Sequence, residues 1–135
     1  VLHQLLSKIK SEEEIVRCVE DAVLKGLILT EDKNVWKEKI RSVVTHPQLK
    51  KYFTTSVKNK TEAEIITEAG KILRPDKVVI EGNSATILDY KTGEKSIQKH
   101  SKQLMEYENA LFRMNYSEVK KIIVYTDLPE VVELN

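Results

Sequence analysis

Apolar and polar positions follow one rhythm in the first part of the chain and another after about Ser56. Leu2, Leu5, Leu6 and Ile9 recur at helical spacing, and Ser11 with Glu14 forms a Ser-x-x-Glu capping box that opens a second helix. That helix carries Ile15, Val16, Val19, Ala22 and Val23 along one side, the stripe of a helix lying on a core. Cys18 packs beside the stripe and Gly26 is the natural stop. Thr30 caps a third helix bearing Val35, Trp36, Ile40, Val43 and Val44. Thr45 and Pro47 then restart a short turn with Leu49, Tyr52 and Phe53.

Short β-branched runs replace helical spacing in the second part. Ala63 to Thr67, Lys71 to Ile80, Ala85 to Tyr90 and Lys121 to Tyr125 read as four strands. Between the third and fourth, Ser96 to about Asn115 places Ile97, Leu104, Tyr107, Leu111 and Met114 on one helical face. Residues 129–135 offer a short edge strand through Val131 and Val132. The order is therefore helices followed by β-β-β-α-β, an α/β chain. With no Gly/Ser linker, residues 1–135 are expected to form a single domain, helical over 1–53 and with its β-rich core over 54–135.

Composition narrows the class. The 135 residues are 41% hydrophobic and 32% charged with 4 Gly and 3 Pro, which excludes a disordered or low-complexity chain. Lys25 interrupts the most apolar stretch, Ala22 to Thr30, so no run approaches the roughly 18 residues of a membrane span. Cys18 stands alone, which excludes an internal disulfide and a cysteine-built metal site, and fits a reducing, cytoplasmic compartment. With 22 basic and 21 acidic residues the net charge is +1, so any contact with nucleic acid must be local. The chain starts at Val1 in residues that already read as helix, and the expectation is a domain excised from a longer protein.

The candidate chemistry lies between Lys71 and Gly93. Gly82-Asn83 suits a two-residue hairpin turn of the I′ or II′ type. With Glu81 opposite Ser84, Ile80 meets Ala85, Val78 meets Ile87, Asp76 meets Asp89, and Arg74 stands against Lys91. The face is thus apolar near the turn and charged at its far end. Opposed carboxylates repel unless something positive lies between them, and Mg²⁺, a hard ion satisfied by one or two carboxylates and several waters, suits such a pair. Lys91 beside it would stabilise charge gathering on phosphorus. A solvated surface quartet of Arg74, Asp76, Asp89 and Lys91 is the other reading of the same spacing.

Arg74-Pro75-Asp76 followed by Asp89-Tyr90-Lys91 resembles the signature of the PD-(D/E)xK nuclease superfamily. Asp89-Tyr90-Lys91-Thr92-Gly93 with Gln103-Leu104-Met105-Glu106-Tyr107 is similar to the RecB-type nuclease domain found at the C-terminus of UvrD-like helicases such as AddA and RecB. The resemblance implies a restriction-endonuclease-like core with a mixed β-β-β-α-β sheet behind an N-terminal helical segment. It implies Mg²⁺, replaceable by Mn²⁺, held by Asp76, Asp89, the Tyr90 backbone carbonyl and His3, the last in the place of that subfamily's helical histidine. Asp76, Asp89 and Lys91 would be catalytic. Gln103 and Tyr107, with Arg74, Lys99 and Lys102, would contact DNA, and Glu64 takes the place of a further upstream acid. The implied activity is exonuclease-type hydrolysis of DNA phosphodiesters in end processing and recombinational repair, with a helicase motor in the same chain or complex.

Cys18 alone excludes the branches built around an iron-sulfur cluster, and no Gly-x-x-x-x-Gly-Lys-Ser/Thr loop is present, so no ATPase resides here. Read without the resemblance, His3 and His46 suit a packed or surface role. His100, near Gln103 on the long helix, suits a surface position or a phosphate contact. A catalytically silent domain of the same fold, serving as a DNA-binding or interaction module, is the rival from another class.

Overall fold

The computed structural model describes residues 1–55, 58–61, 65–127 and 129–134, the side chains of 59–61 excepted. The chain divides into two compact units, Val1–Ser56 and Val57–Asn135.

The first unit holds three helices, α1 (Leu2–Ser7), α2 (Ile15–Leu24) and α3 (Lys33–Val44), with single turns of 3₁₀ helix between them at Glu12–Glu14 and Thr30–Asp32 and a third after α3 at Lys50–Tyr52. Leu5, Leu6, Ile9, Ile15, Val19, Ile40, Val43 and Leu49 are buried, as helical spacing predicts. Val16 and Val35, assigned to the apolar stripes, are instead exposed, 45% and 55%, because each stripe is narrower than its run of apolar letters. The capping box does not form. Ser11 makes no side-chain cap, and the Glu14 carboxylate accepts the Lys10 N–H at 2.7 Å instead. Thr30 likewise lies within a 3₁₀ turn rather than capping α3. Gly26, at φ +74°, ends α2 as expected, with Leu27 N–H on the Ala22 carbonyl and Gly26 N–H on that of Val23.

The second unit is a five-stranded mixed sheet with a crossover helix and a small hairpin. The strands are β1 (Lys58–Thr61), β2 (Ile65–Ile66), β3 (Ile72–Leu73), β4 (Lys77–Glu81), β5 (Ser84–Lys91), β6 (Glu118–Tyr125) and β7 (Glu130–Leu134), with α4 (Ile97–Arg113) between β5 and β6. The sheet order is β1-β4-β5-β6-β7, while β2 and β3 pair separately. Among the described strands only β5 and β6 are parallel, which is why a helix must carry the chain between them. Leu104, Tyr107, Ala110 and Leu111 of α4 pack on Val78, Ala85, Ile87 and Ile123 of the sheet. Ile97 and Met114, expected on that face, are exposed at the helix ends.

Among the described residues seven strands stand where four and a short C-terminal edge were expected. Pro75 has no N–H to give a ladder, so the run from Lys71 to Ile80 breaks into β3 and β4 around Arg74–Asp76. β1, Lys-Asn-Lys-Thr, carries no apolar signal, yet pairs with β4 as an edge. The chain from 129 onward does add the other edge, β7. Lys77 and Lys121, polar letters inside strands, are buried, and Lys121 Nζ lies 3.1 Å from Glu108 of α4.

Gly82 has φ +59° whereas Asn83 has no positive φ, so the hairpin turn is of the II′ type, whose first central position favours glycine. A Cβ built on Gly82 meets nothing within 4 Å, so the cost of a side chain there is conformational alone. Gly82→Ala should lower stability by about 1–2 kcal/mol in urea unfolding without changing the m-value, the cost of one left-handed residue. A neutral effect would show that this turn does not fix the register.

Candidate active site

The β4–β5 register is the one the hairpin dictates: Glu81 opposite Ser84, Ile80 opposite Ala85 and Val78 opposite Ile87. Alternation then carries Asp89 and Lys91 onto the same face as Ala85 and Ile87. The ladder ends at Lys77–Leu88, one pair before Asp76 would meet Asp89. Asp76 sits in the bend that follows Pro75, and its side chain continues what the backbone breaks off, since its Oδ2 accepts the Tyr90 N–H at 2.8 Å.

Asp76 and Asp89 come within hydrogen-bonding reach of each other. Burial and then the neighbouring Asp89 push the Asp76 carboxyl up to about 7, against the pull of the Tyr90 N–H and the Lys91 ammonium. Asp89 is 3% exposed, and Lys91 Nζ lies 2.9 Å from its Oδ2. The Gln103 carbonyl oxygen accepts a hydrogen bond from the same ammonium at 2.7 Å, and the Gln103 amide bonds the Tyr107 hydroxyl. Tyr107 is in turn pushed up to about 12, by burial and then by Asp89 and Asp76, which places its phenol in the field of both carboxylates.

Lys91 O accepts the Thr126 N–H at 3.0 Å, so residue 91 faces β6 along the ladder and residue 90 faces the β4 side. The Tyr90 carbonyl is therefore directed to the edge where Asp76 stands. Its ring, by alternation, is buried on the opposite face from Asp89.

Position in the sheet matters as much as the group itself. Asp89 and Lys91 end β5, Tyr125 ends β6 in register with Lys91, and α4 begins immediately beyond. Carboxyl ends of parallel strands are where open α/β sheets leave a crevice for ligands. An adjoining cleft of about 420 Å³ is lined by Ile72, Arg74, Gln103, Glu106 and Tyr107. Gly93 N–H donates to Asp127 Oδ2 at 2.8 Å, tying the loop after β5 to the turn after β6.

The remaining expected residues fall unevenly. Arg74 is exposed in the cleft rather than paired with Lys91, because the bend at Asp76 stops the ladder first. Lys99 and Lys102 are exposed on the first two turns of α4. Lys95, from the same basic run, is held by Glu130 at 2.6 Å. His3 is half-buried on α1 in the first unit, and His46 Nδ1 accepts the Gln48 N–H at 3.1 Å. Glu64 lies outside the described residues. No set of three His, Cys, Asp or Glu side chains is grouped for a metal ion among the described residues. One pair went unread in the sequence: His100 Nδ1 and the Tyr125 hydroxyl are 2.9 Å apart. Its signal was the parallel pairing that sets Tyr125 beside Lys91 beneath α4.

No family model matches the chain, and no curated protein matches it.

An acid whose folded-state pKa lies above its unfolded value is bound to its proton more tightly when folded, so its contribution to stability is lost as pH rises. For Asp76 that window runs from about 4 to about 7. In EDTA, Asp76→Asn should flatten the fall in unfolding free energy across this window and exceed the wild type at pH 8 by about 1 kcal/mol or more. A variant less stable than the wild type at that pH would show that the two carboxylates do not repel.

Proposed function

We propose that the chain is a divalent-metal-dependent nuclease that hydrolyses DNA phosphodiesters, an enzyme of the PD-(D/E)xK type with a RecB-like arrangement. One observation carries this reading: two adjoining carboxylates, one pushed up to about 7 by burial and then by the other, with a lysine ammonium 2.9 Å from Asp89 at the carboxyl end of a parallel strand. A like-charged pair of this kind needs a proton or a cation, and the donor set, two carboxylates and a backbone carbonyl, is all oxygen. That fits Mg²⁺, which takes few protein ligands and keeps its waters.

Asp76, Asp89 and the Tyr90 carbonyl would hold the metal. When bound, the cation polarises the phosphoryl oxygen and lowers the pKa of a coordinated water. The chain's own residues do the rest. Lys91 stands where negative charge gathers as the water oxygen bonds to phosphorus and the P–O bond to the leaving sugar breaks. Gln103 fixes that ammonium, and Tyr107 fixes Gln103, so neither has to reorganise during the reaction. Arg74, Lys99 and Lys102 are exposed to meet the backbone of the strand. With a net charge of +1 the affinity for DNA is low and falls with salt, which suits a nuclease fed by a helicase motor, where tethering replaces intrinsic affinity.

The direct pairing of Lys91 with Asp89 favours a second reading: an ammonium that already neutralises one carboxylate suits a silent DNA-binding module of the same fold.

Cleavage of single-stranded and linear duplex DNA in Mg²⁺ or Mn²⁺ separates the two. The wild type should cut, and Asp89→Ala and Lys91→Ala should each lose about 100-fold or more of the rate. Equal cleavage by all three proteins would discard the site, and binding without cleavage by the wild type would select the silent module.

A further inference from the structure

His100 is half-buried, one helical turn before Gln103 on α4, so it shares the helix face that holds Lys91. Its Nδ1 is 2.9 Å from the hydroxyl of Tyr125, which is 5% exposed and stands in register with Lys91 on the neighbouring parallel strand. The two rings are 5.6 Å apart and tilted by 45°. Burial and then the Lys91 charge hold the imidazole below its ordinary pKa, and a phenol, being a stronger acid than a neutral imidazole N–H, donates to the ring nitrogen. With Nδ1 accepting, the proton resides on Nε2, across the ring from Tyr125.

That arrangement leaves a neutral, oriented N–H donor among cations. Lys99 precedes His100 and Lys102 follows two residues on; both are exposed and neither makes an ion pair among the described residues. The amino end of the 17-residue α4 adds its own partial positive charge. Acids along this helix lie further on, at Glu106 and Glu108, and each is already paired, with Lys71 and Lys121 respectively.

We infer that His100 is a substrate-binding residue whose Nε2–H, set by the Tyr125 hydroxyl, donates to a non-bridging phosphate oxygen of the DNA strand next to the scissile one. The assignment rests on the nuclease reading above and adds to it the residue that registers the strand against Lys91. Neutrality suits the task. A donor without charge holds a phosphate that must slide onward after each cut, where another lysine would retain it.

The alternative is that His100 serves only to satisfy the buried hydroxyl of Tyr125, and side chains of graded length tell the two apart. In His100→Asn the amide reaches Tyr125 but has nothing at the Nε2 position; in His100→Gln a donor reaches that position. KM and kcat are read on a fluorescein-labelled oligothymidylate with Mn²⁺, and binding of the same probe by anisotropy with Ca²⁺. His100→Asn should keep the melting temperature of the wild type and raise KM about tenfold, equivalent to about 1.4 kcal/mol, with kcat little changed. His100→Gln should recover most of that loss, and Tyr125→Phe should show a smaller rise in KM as the ring loses its anchor. Wild-type KM in His100→Asn, with stability lost in His100→Ala, overturns the inference and leaves the nuclease standing. A wild type that binds the probe in a His100-dependent way without cutting it removes the nuclease reading and keeps the phosphate contact. Failure of the wild type either to bind or to cut removes both.

Discussion

Two carboxylates forced together at the buried end of a hairpin are the constraint on which the rest of the second unit depends. Unit charges about 4 Å apart repel by roughly 4 kcal/mol at an effective dielectric constant of about 20. Burial first, and then the neighbouring Asp89, raise the Asp76 carboxyl from 3.8 to about 7, so the doubly charged pair is disfavoured. A surface quartet would not meet such a penalty, since exposed ion pairs are worth about 1 kcal/mol or less in either direction. The fold answers the repulsion with the Tyr90 N–H on Asp76, the Lys91 ammonium beside Asp89, and a proton held between the two acids. Each of these is directional and fixed by the end of β5, so the polar cluster is bound to the sheet and not to mobile loops.

The support around the pair follows from the parallel step in the sheet. Joining β5 to β6 in parallel requires a crossover, and α4, packed by Leu104, Tyr107, Ala110 and Leu111, lies over the face that carries the acids. Its apolar stripe sets the rotation of the helix. The same rotation brings His100, Gln103 and Tyr107 to the rim of the site, so the core contacts and the polar contacts are two consequences of one packing. Gln103 grips Lys91 only because Leu104, the next residue, is buried.

Local rules made part of this legible. A two-residue glycine turn fixes strand register by counting, and that count matches the ladder as far as Lys77–Leu88 and puts Asp89 and Lys91 on the face of Ala85 and Ile87, because side chains alternate with period two, while the expected Asp76–Asp89 pair lies one step beyond the ladder. It failed at Arg74, where Pro75 and the bend at Asp76 end the ladder, since counting assumes an unbroken strand. Strands without apolar letters, such as β1, leave no trace in a hydrophobic pattern because an edge is held by backbone hydrogen bonds alone. Lys77 and Lys121 read as surface letters, yet their alkyl stems are buried in the sheet. His100 needed the parallel register of β5 and β6, a long-range pairing that no window of sequence contains. The Ser11 capping box misled because Glu14 has a nearer donor in Lys10.

If the Asp76–Asp89 pair holds a divalent cation, as proposed, a cation entering it must displace the proton that Asp76 retains near neutrality. Calorimetric titration of Mn²⁺ into the protein at pH 7, repeated in buffers of different ionisation enthalpy, reads binding and proton release together. Saturable binding with release of a fraction of a proton is expected for the wild type, and neither for Asp89→Asn. Binding of equal strength in wild type and Asp89→Asn, or the absence of any saturable binding by the wild type, would contradict the proposed role of the pair.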